Sequence, residues 1–556
     1  MCFFGRSPLV LTTVLAIACF VGCSAQPPAT NAGGGSTDAT TERRDSDANN
    51  CRLIVSYDAN SMWGLQLTRA NRDKNLDADA VKAFLEEVVD EHAKAKVDRI
   101  VHSIFGMPWG TAPPGFESFY RQPEHWWYRC DNKTDSGIQG FEEAGYDLVQ
   151  VLLDRSRKDG IQFIGGLRMN DRHGGIEKRP FCTEHPQWQL TGFRGGMDYK
   201  HEGVRNAVLS FVEEFLQRYD VDGIELDWMR WCQMFKPSEA QKNAPLLTDF
   251  IIQMRKLVDD AAEKRGRGKL LLGVRIPQTL AECRMLGFDV KVWVQQGRVD
   301  YICPSDFAVM DTNIRTEDFV ALTKGTACKV YPSVIPIIRW GNDTHTHSAE
   351  NYRAAANNFY AFGADGISAY NYQYHWRGDR GPEDEWPRAL GYLTALRERK
   401  AIGSGERRYM YYPLSLVGRL PRQYITGVVK NDRIEILRGC TVPMGSMVLR
   451  IAEDLKDPHL SAMLEFKALG LVEADELEIS LNGEIVPAAG IRRDFVADGQ
   501  PAAQGRELPA FHRYRVDLGD PPLKFGDNRL TVYLLNSAGE ENIDVQEIEI
   551  LVREKN

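Results

Sequence analysis

Between residue 51 and about residue 400 the chain alternates short apolar runs with longer amphipathic segments, and it does so eight times. The short runs are Leu53–Tyr57, Arg99–Phe105, Ile161–Leu167, Gly223–Trp228, Leu270–Ile276, Val299–Cys303, Lys329–Ile335 and Gly366–Tyr370. Several are apolar on both faces, as expected of strands buried in a parallel sheet. The segments between them carry helical spacing, as in Val81, Phe84, Leu85, Val88 and Val89 behind the opening Asp77. Eight strand–helix units over roughly 350 residues predict an α/β fold, a (β/α)8 barrel. A doubly wound open sheet would place a Gly-rich loop after the first strand, and Ser56-Tyr-Asp-Ala-Asn60 is no such loop.

The pattern changes after Gly403. Alternating runs at Met447–Ile451, Leu464–Ala468, Leu477–Leu481, Leu530–Leu534 and Val545–Val552, with Asn482-Gly483 as a hairpin signal, predict an all-β sandwich over 404–556. It serves as a packing domain or as a sugar-binding module. At the other end, Arg6 and the apolar run Leu9–Val21 read as a signal peptide over 1–23, too short for an ordinary membrane span. Phe20-Val-Gly-Cys23 resembles a bacterial lipobox, which implies a lipid on Cys23 and export to the outer membrane or cell surface. Ordinary secretion is the alternative. Residues 24–50 are rich in Gly, Ser, Thr, Asn and Asp and read as a disordered tether. The catalytic barrel is then expected over 51–403.

Eight cysteines follow Cys23, with no metal-like spacing among them. Export permits disulfides, and Cys130 with Cys182 or Cys232 is one possibility. Cys303 and Cys328 are expected as buried thiols. A net charge of −9 argues against nucleic acid as a partner.

The stretch Asp222-Gly-Ile-Glu-Leu-Asp-Trp-Met-Arg-Trp231 reads as strand four. Alternation places Gly223, Glu225 and Asp227 on one face. Two acids on one buried strand face demand a partner or a task. In a barrel, chemistry gathers at the carboxyl ends of the strands. Those ends deliver Asp58, His102, Trp109, Arg168, Asn170, Asp227, Arg230, Trp231, Arg275, Asp306, Tyr370, Asn371, Tyr372 and Trp376, with Trp127 from a loop. With 11 Trp and 20 Tyr in the chain, this set mixes aromatic rings with carboxylates, amides and guanidiniums, as a saccharide site requires. No dinucleotide fingerprint, phosphate loop or HExxH zinc motif occurs, so no cofactor or metal is expected.

Hydrolysis of a glycoside uses two carboxyl groups flanking the scissile bond. Asp227 as nucleophile or base and Asp306 as general acid are the expected pair, with Glu225 one layer deeper as an orienting or pKa-setting neighbour. Trp109, Trp127, Trp231, Tyr372 and Trp376 are expected to stack on sugar rings. Asp58, His102, Arg168, Asn170, Arg230, Arg275, Tyr370 and Asn371 are expected substrate contacts. Asp227 paired with Arg168 or Arg275 as a structural acid is the plainer alternative.

Asp222–Arg230 resembles the strand-four signature of glycoside hydrolase-like barrels. It is similar to the family 18 chitinases, where Glu225 and Asp227 match two acidic positions but Met229 stands where those enzymes carry a catalytic Glu. Asp222-Gly-Ile-x-x-Asp227 also resembles the family-10-type glycosyl hydrolase-like group, often lipoproteins, over about residues 51–400. That resemblance implies a saccharide substrate and an acid on strand four. The placement of Asp227 and Asp306 is also similar to that in retaining α-glycosidases. A non-catalytic glycan-binding lipoprotein and a polysaccharide lyase are the alternative readings.

Overall fold

The structure, a computed structural model, describes residues 51–57, 77–105, 144–170, 180–190, 196–306, 309–339, 345–376, 385–397, 399–411, 433–497, 500–501, 507–519 and 521–555. The expected signal, tether and Cys23, and also Asp58, Trp109, Trp127 and Cys130, lie outside the described residues.

Nine strands form one parallel, curled sheet. They are β1 (Leu53–Tyr57), β2 (Arg99–Phe105), β3 (Gln162–Arg168), β4 (Gly223–Asp227), β5 (Leu271–Pro277), β6 (Tyr301–Ser305), β7 (Lys329–Val330), β8 (Ser333–Val334) and, after a small hairpin of β9 (Ile337–Arg339) and β10 (His345–Thr346), β11 (Ile367–Tyr370). The spatial order is β7-β6-β5-β4-β3-β2-β1-β11-β8. The segment expected as a single seventh strand is thus two short ones, parted by Tyr331 and Pro332. Proline has no amide hydrogen for a ladder. β7 pairs with β6 and β8 pairs with β11, so the two ends of the sheet are neighbours in the chain.

Helices alternate with the strands, among them Ala78–Lys94, Leu148–Lys158, Glu202–Arg218, Ala240–Lys264, Ala349–Ala361 and Glu385–Arg397. Asp77 and Asp147 cap the first two by accepting the amides of Ala80 and Gln150. One set of strand side chains, including Val55, Ile100, Phe163, Ile224, Leu226 and Trp228, packs against the helices in the main core. The alternate set, including Ile54, Val101, Ile164, Tyr301, Cys303 and Tyr331, forms a second core inside the curl. Gly273 belongs to that inner set. A Cβ there would lie 2.0 Å from the Tyr301 ring, so the tyrosine occupies the space a side chain would need.

The amino-terminal ends of the strands carry a device used four times. Asp98, Asp222 and Asp300 each stand just before a strand, and Asp365 stands two residues ahead of β11. Each accepts a backbone amide from an earlier strand, respectively Leu53 of β1 (2.9 Å), Phe163 of β3 (2.8 Å), Leu272 of β5 (2.8 Å) and Val330 of β7 (3.0 Å). Each also meets a cation: Arg397, Arg267, Arg255 and Lys329 respectively.

Antiparallel sheets follow. A six-stranded sheet runs Arg407–Tyr411, Ile543–Glu554, Leu460–Leu469, Phe511–Asp517 and Ile491–Val496, with Ile434–Ile436 also paired to Ile543–Glu554. A four-stranded sheet holds Met444–Ile451, Gly526–Asn536, Glu476–Leu481 and Glu484–Ile485. Their apolar faces share one core. Asn482 and Gly483, with φ of 55° and 92°, make the hairpin turn that the sequence signals. Asn313 and Asn358 reach from the α/β part to the carbonyls of Val448 and Arg450, at 3.0 and 2.8 Å.

Cys51, Cys283, Cys303, Cys328 and Cys440 carry free thiols. Cys303 and Cys328 are buried, as expected. Cys182 is buried with its Sγ 3.6 Å from Met197 Sδ.

Candidate saccharide site at the carboxyl ends of the strands

Alternation along β3, β4 and β5 brings Arg168, Asp227 and Arg275 to the inner face in direct register. Asp227 is therefore flanked by a guanidinium-bearing residue on each neighbouring strand. All three are buried, with Asp227 5% exposed. Arg275 Nη1 donates to Asp227 Oδ1 at 2.9 Å and to Oδ2 at 3.1 Å. Its Nε donates to Ser305 Oγ at 3.1 Å and its Nη2 to the Asp306 carbonyl at 2.7 Å. The guanidinium also lies 3.4 Å from the centroid of the Tyr370 ring. The Tyr370 hydroxyl donates to Asp227 Oδ2 at 3.3 Å, and the Met229 amide to Oδ1 at 2.9 Å. Strands β5 and β11 thus converge on the carboxylate at the end of β4, whose oxygens accept from a cation, a phenol and the backbone, while β6 holds the cation.

Glu225 lies one layer deeper on the same face and is 1% exposed. Cys303 Sγ is 3.9 Å from its Oε2. Burial, reinforced by the charge of Asp227, raises its carboxyl to about 7, against the opposing pull of Tyr301, Arg275 and Arg99. The sequence reading placed Glu225 at this depth but missed the Tyr301–Cys303 lining. The signal was present in the alternation Tyr301, Cys303, Ser305 along β6.

Two residues at the strand ends hold backbone conformations unusual for their types. Trp231, just beyond β4, has φ of 54°, and Asn371, at the end of β11, has φ of 53°. Left-handed backbone is tolerated by Asn but is a marked outlier for Trp, and such outliers gather at functional sites. The Asn371 amide donates to the Ser56 carbonyl at 2.7 Å, which fixes the end of β11 on β1. Arg230 is buried, with its guanidinium 5.3 Å from the half-buried Trp231 ring.

Other expected site residues are placed elsewhere. His102 shares its strand face with Ile100, on the helix side, and its ring lies 6.1 Å from that of Phe163. Burial lowers its pKa to about 4. Asn170 spends its amide on backbone: Nδ2 donates to the carbonyls of Met197 and Gln233, and Oδ1 accepts the Met197 amide. It clamps the loops after β3 and β4. Tyr372 is wholly buried, donates its hydroxyl to the Ala389 carbonyl at 2.6 Å, and packs 4.8 Å from the His375 ring. It is a core residue, not an exposed stacking platform. Trp376 ends the helical turn Tyr372–Trp376. Asp306 touches the cluster through its carbonyl, and it is 1% exposed. Among the described residues no group of His, Cys, Asp and Glu has the arrangement of a metal site.

No family profile matches the chain. Over 231 residues, 34% of this chain, it is 22% identical to a protein named glycosyl hydrolase YngK from Bacillus subtilis (strain 168). The match spans 43% of that relative's length. Among solved structures it is similar to an α-L-fucosidase isoenzyme 2 from Paenibacillus thiaminolyticus at 13% identity, with a TM-score of 0.39, over 65% of this chain and 52% of the other. It is also similar to the PgaB glycoside hydrolase domain from Bordetella bronchiseptica at 11% identity, with a TM-score of 0.36, over 64% of this chain and all of that domain. The chain is thus a curled, barrel-like parallel sheet with helices followed by antiparallel sheets, and part of it is similar to a protein named as a glycosyl hydrolase.

Proposed function

We propose that this chain is a glycosidase that hydrolyses O-glycosyl bonds of a poly- or oligosaccharide by a two-carboxylate mechanism. One observation carries the reading: Asp227 stands at the carboxyl end of β4, inward-facing, with both oxygens fixed by Arg275, Tyr370 and the Met229 amide. A carboxylate whose oxygens only accept suits attack or proton abstraction rather than proton donation. The similarity to a glycosyl hydrolase supports the same class. In this reading Asp227 is nucleophile or base and Asp306 the general acid. Glu225 sets the charge around Asp227 from beneath, and Tyr370 and Arg275 hold it in place.

The proposal extends to architecture and location. Residues 329–334 act as one interrupted seventh strand that closes a (β/α)8 barrel over 51–403, with a β-sandwich over 404–556. The pairing of β7 with β6 and of β8 with β11 supports closure. Lipidation at Cys23 and residence at the outer membrane or cell surface are supported by the apolar run that ends in Phe20-Val-Gly-Cys23.

A second reading, a glycan-binding protein without turnover, is favoured by Met229. It occupies the position of the chitinase catalytic Glu, and its side chain is wholly buried in the core. Product analysis separates the two readings. The chain from residue 51 is incubated with plant, algal and bacterial polysaccharides, beside Asp227→Asn. New reducing ends from the wild type alone support the glycosidase. Binding without new ends, unchanged by the substitution, rejects it.

A further inference from the structure

We propose that one end of the antiparallel part, the end that carries Phe495 and Leu535, is a docking surface for a protein partner whose own surface is apolar and rimmed with lysine or arginine. It is independent of the chemistry proposed for the strand ends.

Among the described residues eight large apolar side chains are exposed, and all eight belong to the antiparallel part. Six of them gather at one end: Leu437, Val442, Met444, Val472, Phe495 and Leu535, with Phe495 and Leu535 66% and 61% exposed. Strand register sets Met444 opposite Tyr533, and the Leu534 amide donates to the Pro443 carbonyl at 2.9 Å, so Val442 and Met444 run alongside Leu535. Asn536, next to Leu535, donates to the Ala474 carbonyl at 2.7 Å. Arg438, next to Leu437, donates to Asp475 at 2.9 Å. Arg493, two residues before Phe495, donates to the Val472 carbonyl at 2.8 Å. The contacts with the α/β part fall at the other end of the same strands, where Asn313 and Asn358 reach Val448 and Arg450 and Arg315 pairs with Asp527. Single exposed apolar residues are ordinary, but six gathered at one end of a folded unit mark a contact surface.

Charge selects the occupant. Four exposed acids stand among the apolar side chains: Glu473, Glu476, Glu540 and Glu541. The neighbouring arginines are engaged within the protein, Arg438 by Asp475, Arg493 by the carbonyls of Val472 and Asp475, and Arg433 by Asp544. The rim is therefore acidic. Like charge opposes docking of a second copy of this end, and it opposes an anionic lipid surface. An apolar centre with an acidic rim complements an apolar surface ringed by cations.

The test uses the full chain carrying Cys23→Ser, so that no attached lipid contributes. The probes are a short amphipathic helical peptide of Leu and Lys and its counterpart with Glu in place of every Lys. The Lys peptide should bind about tenfold more tightly, and its binding should weaken as salt rises. Cys440 is exposed at the same end and reports the place of binding. Its alkylation, followed at that residue by mass spectrometry, should slow severalfold under the Lys peptide. Leu535→Ser and Phe495→Ser should each weaken binding, and Glu540→Lys with Glu541→Lys should abolish the preference between the peptides. Thermal melts check that these surface variants keep the fold. Equal binding of the two peptides, binding that survives the serine variants, an unchanged alkylation rate, or no binding of either peptide overturns the proposal. Flotation with vesicles of phosphatidylcholine, alone or mixed with phosphatidylglycerol, that is lost in the serine variants overturns it in favour of a lipid surface. A dimer in analytical ultracentrifugation that Leu535→Ser dissociates overturns it in favour of a second copy.

Discussion

Arg275 Nη1 donates to both carboxylate oxygens of Asp227, at 2.9 and 3.1 Å, while the rest of its guanidinium is held by β6. The pair is a joint between three strands, and the two residues play unequal parts. In the proposed mechanism Arg275 is a positioning residue, and Asp227 is the group offered to a substrate.

Removing the charge of Asp227 should abolish chemistry. Asp227→Asn keeps the shape and an acceptor for Arg275 but leaves that buried guanidinium without its anion. We expect turnover per folded molecule to fall by about a thousandfold or more, with a lowered thermal midpoint. Reducing-end assays and calorimetry on the same sample measure both.

Arg275→Ala should behave differently. It leaves a buried carboxylate without its cation, a change that costs about 3–5 kcal/mol. Arg275→Lys should recover part of the stability but not the two-oxygen geometry. Urea denaturation of the three forms reads the order wild type, Lys, Ala. Equal stability of wild type and Ala would remove Arg275 from its positioning role.

Glu225 predicts a pH dependence. Its carboxyl is raised from 4.5 to about 7 in the folded protein by burial and by the charge of Asp227. Between those values the folded state holds a proton that the unfolded state has lost, so stability falls as pH rises through that window. The full effect is on the order of 3 kcal/mol. Glu225→Gln, uncharged throughout, should be the more stable protein at pH 8 and nearly level with the wild type at pH 4.5. Denaturation curves at the two pH values test this; a wild type that gains stability relative to Glu225→Gln on going to pH 8 would contradict it.

The amino-terminal ends of the strands should show the converse of Asp227→Asn. Asp222→Ala removes the acceptor of the Phe163 amide and the partner of Arg267. A loss of about 2–4 kcal/mol is expected. Turnover per folded molecule should be unchanged, because the reacting end lies a full strand length away. Asp475 is the equivalent lock in the antiparallel part. Burial alone would raise its carboxyl, yet bonds from Arg438 and the amides of Val472, Ala538 and Gly539 hold it well below the usual range. Its contribution is present above the ordinary carboxylate range and fades as the pH falls. Asp475→Asn should therefore be destabilised at neutral pH and converge on the wild type in acid.

Strand positions were legible because each apolar run is bounded by amphipathic helix. The shared face of Glu225 and Asp227 was legible because side chains alternate along a strand. The face of β2 was not. Arg99-Ile-Val-His-Ser has apolar residues on both sides, so nothing in the sequence told which way His102 points; the structure pairs it with Phe163. Asn170 and Tyr372 looked like sugar ligands by residue type, but their partners are the backbone of Met197, Gln233 and Ala389, remote or unforeseeable contacts. The interruption of the seventh strand was visible in Pro332, which the expected strand ran through. Asp98, Asp222, Asp300 and Asp365 are equally plain in the sequence, but their meaning appears only once alternate strands are laid side by side.

Those four aspartates count the strands in twos. Three of them link a strand to the one before it, β1 with β2, β3 with β4 and β5 with β6, and the fourth links β7 to β11 across β8. The sheet is in that sense three two-strand modules and a last group of β7, β8 and β11, each carrying its own record of alignment. A break in the chain between modules leaves every such record within one fragment, whereas a break inside a module parts an aspartate from its amide. Fragments that reassemble should therefore begin at β3 or β5 rather than at β2, β4 or β6.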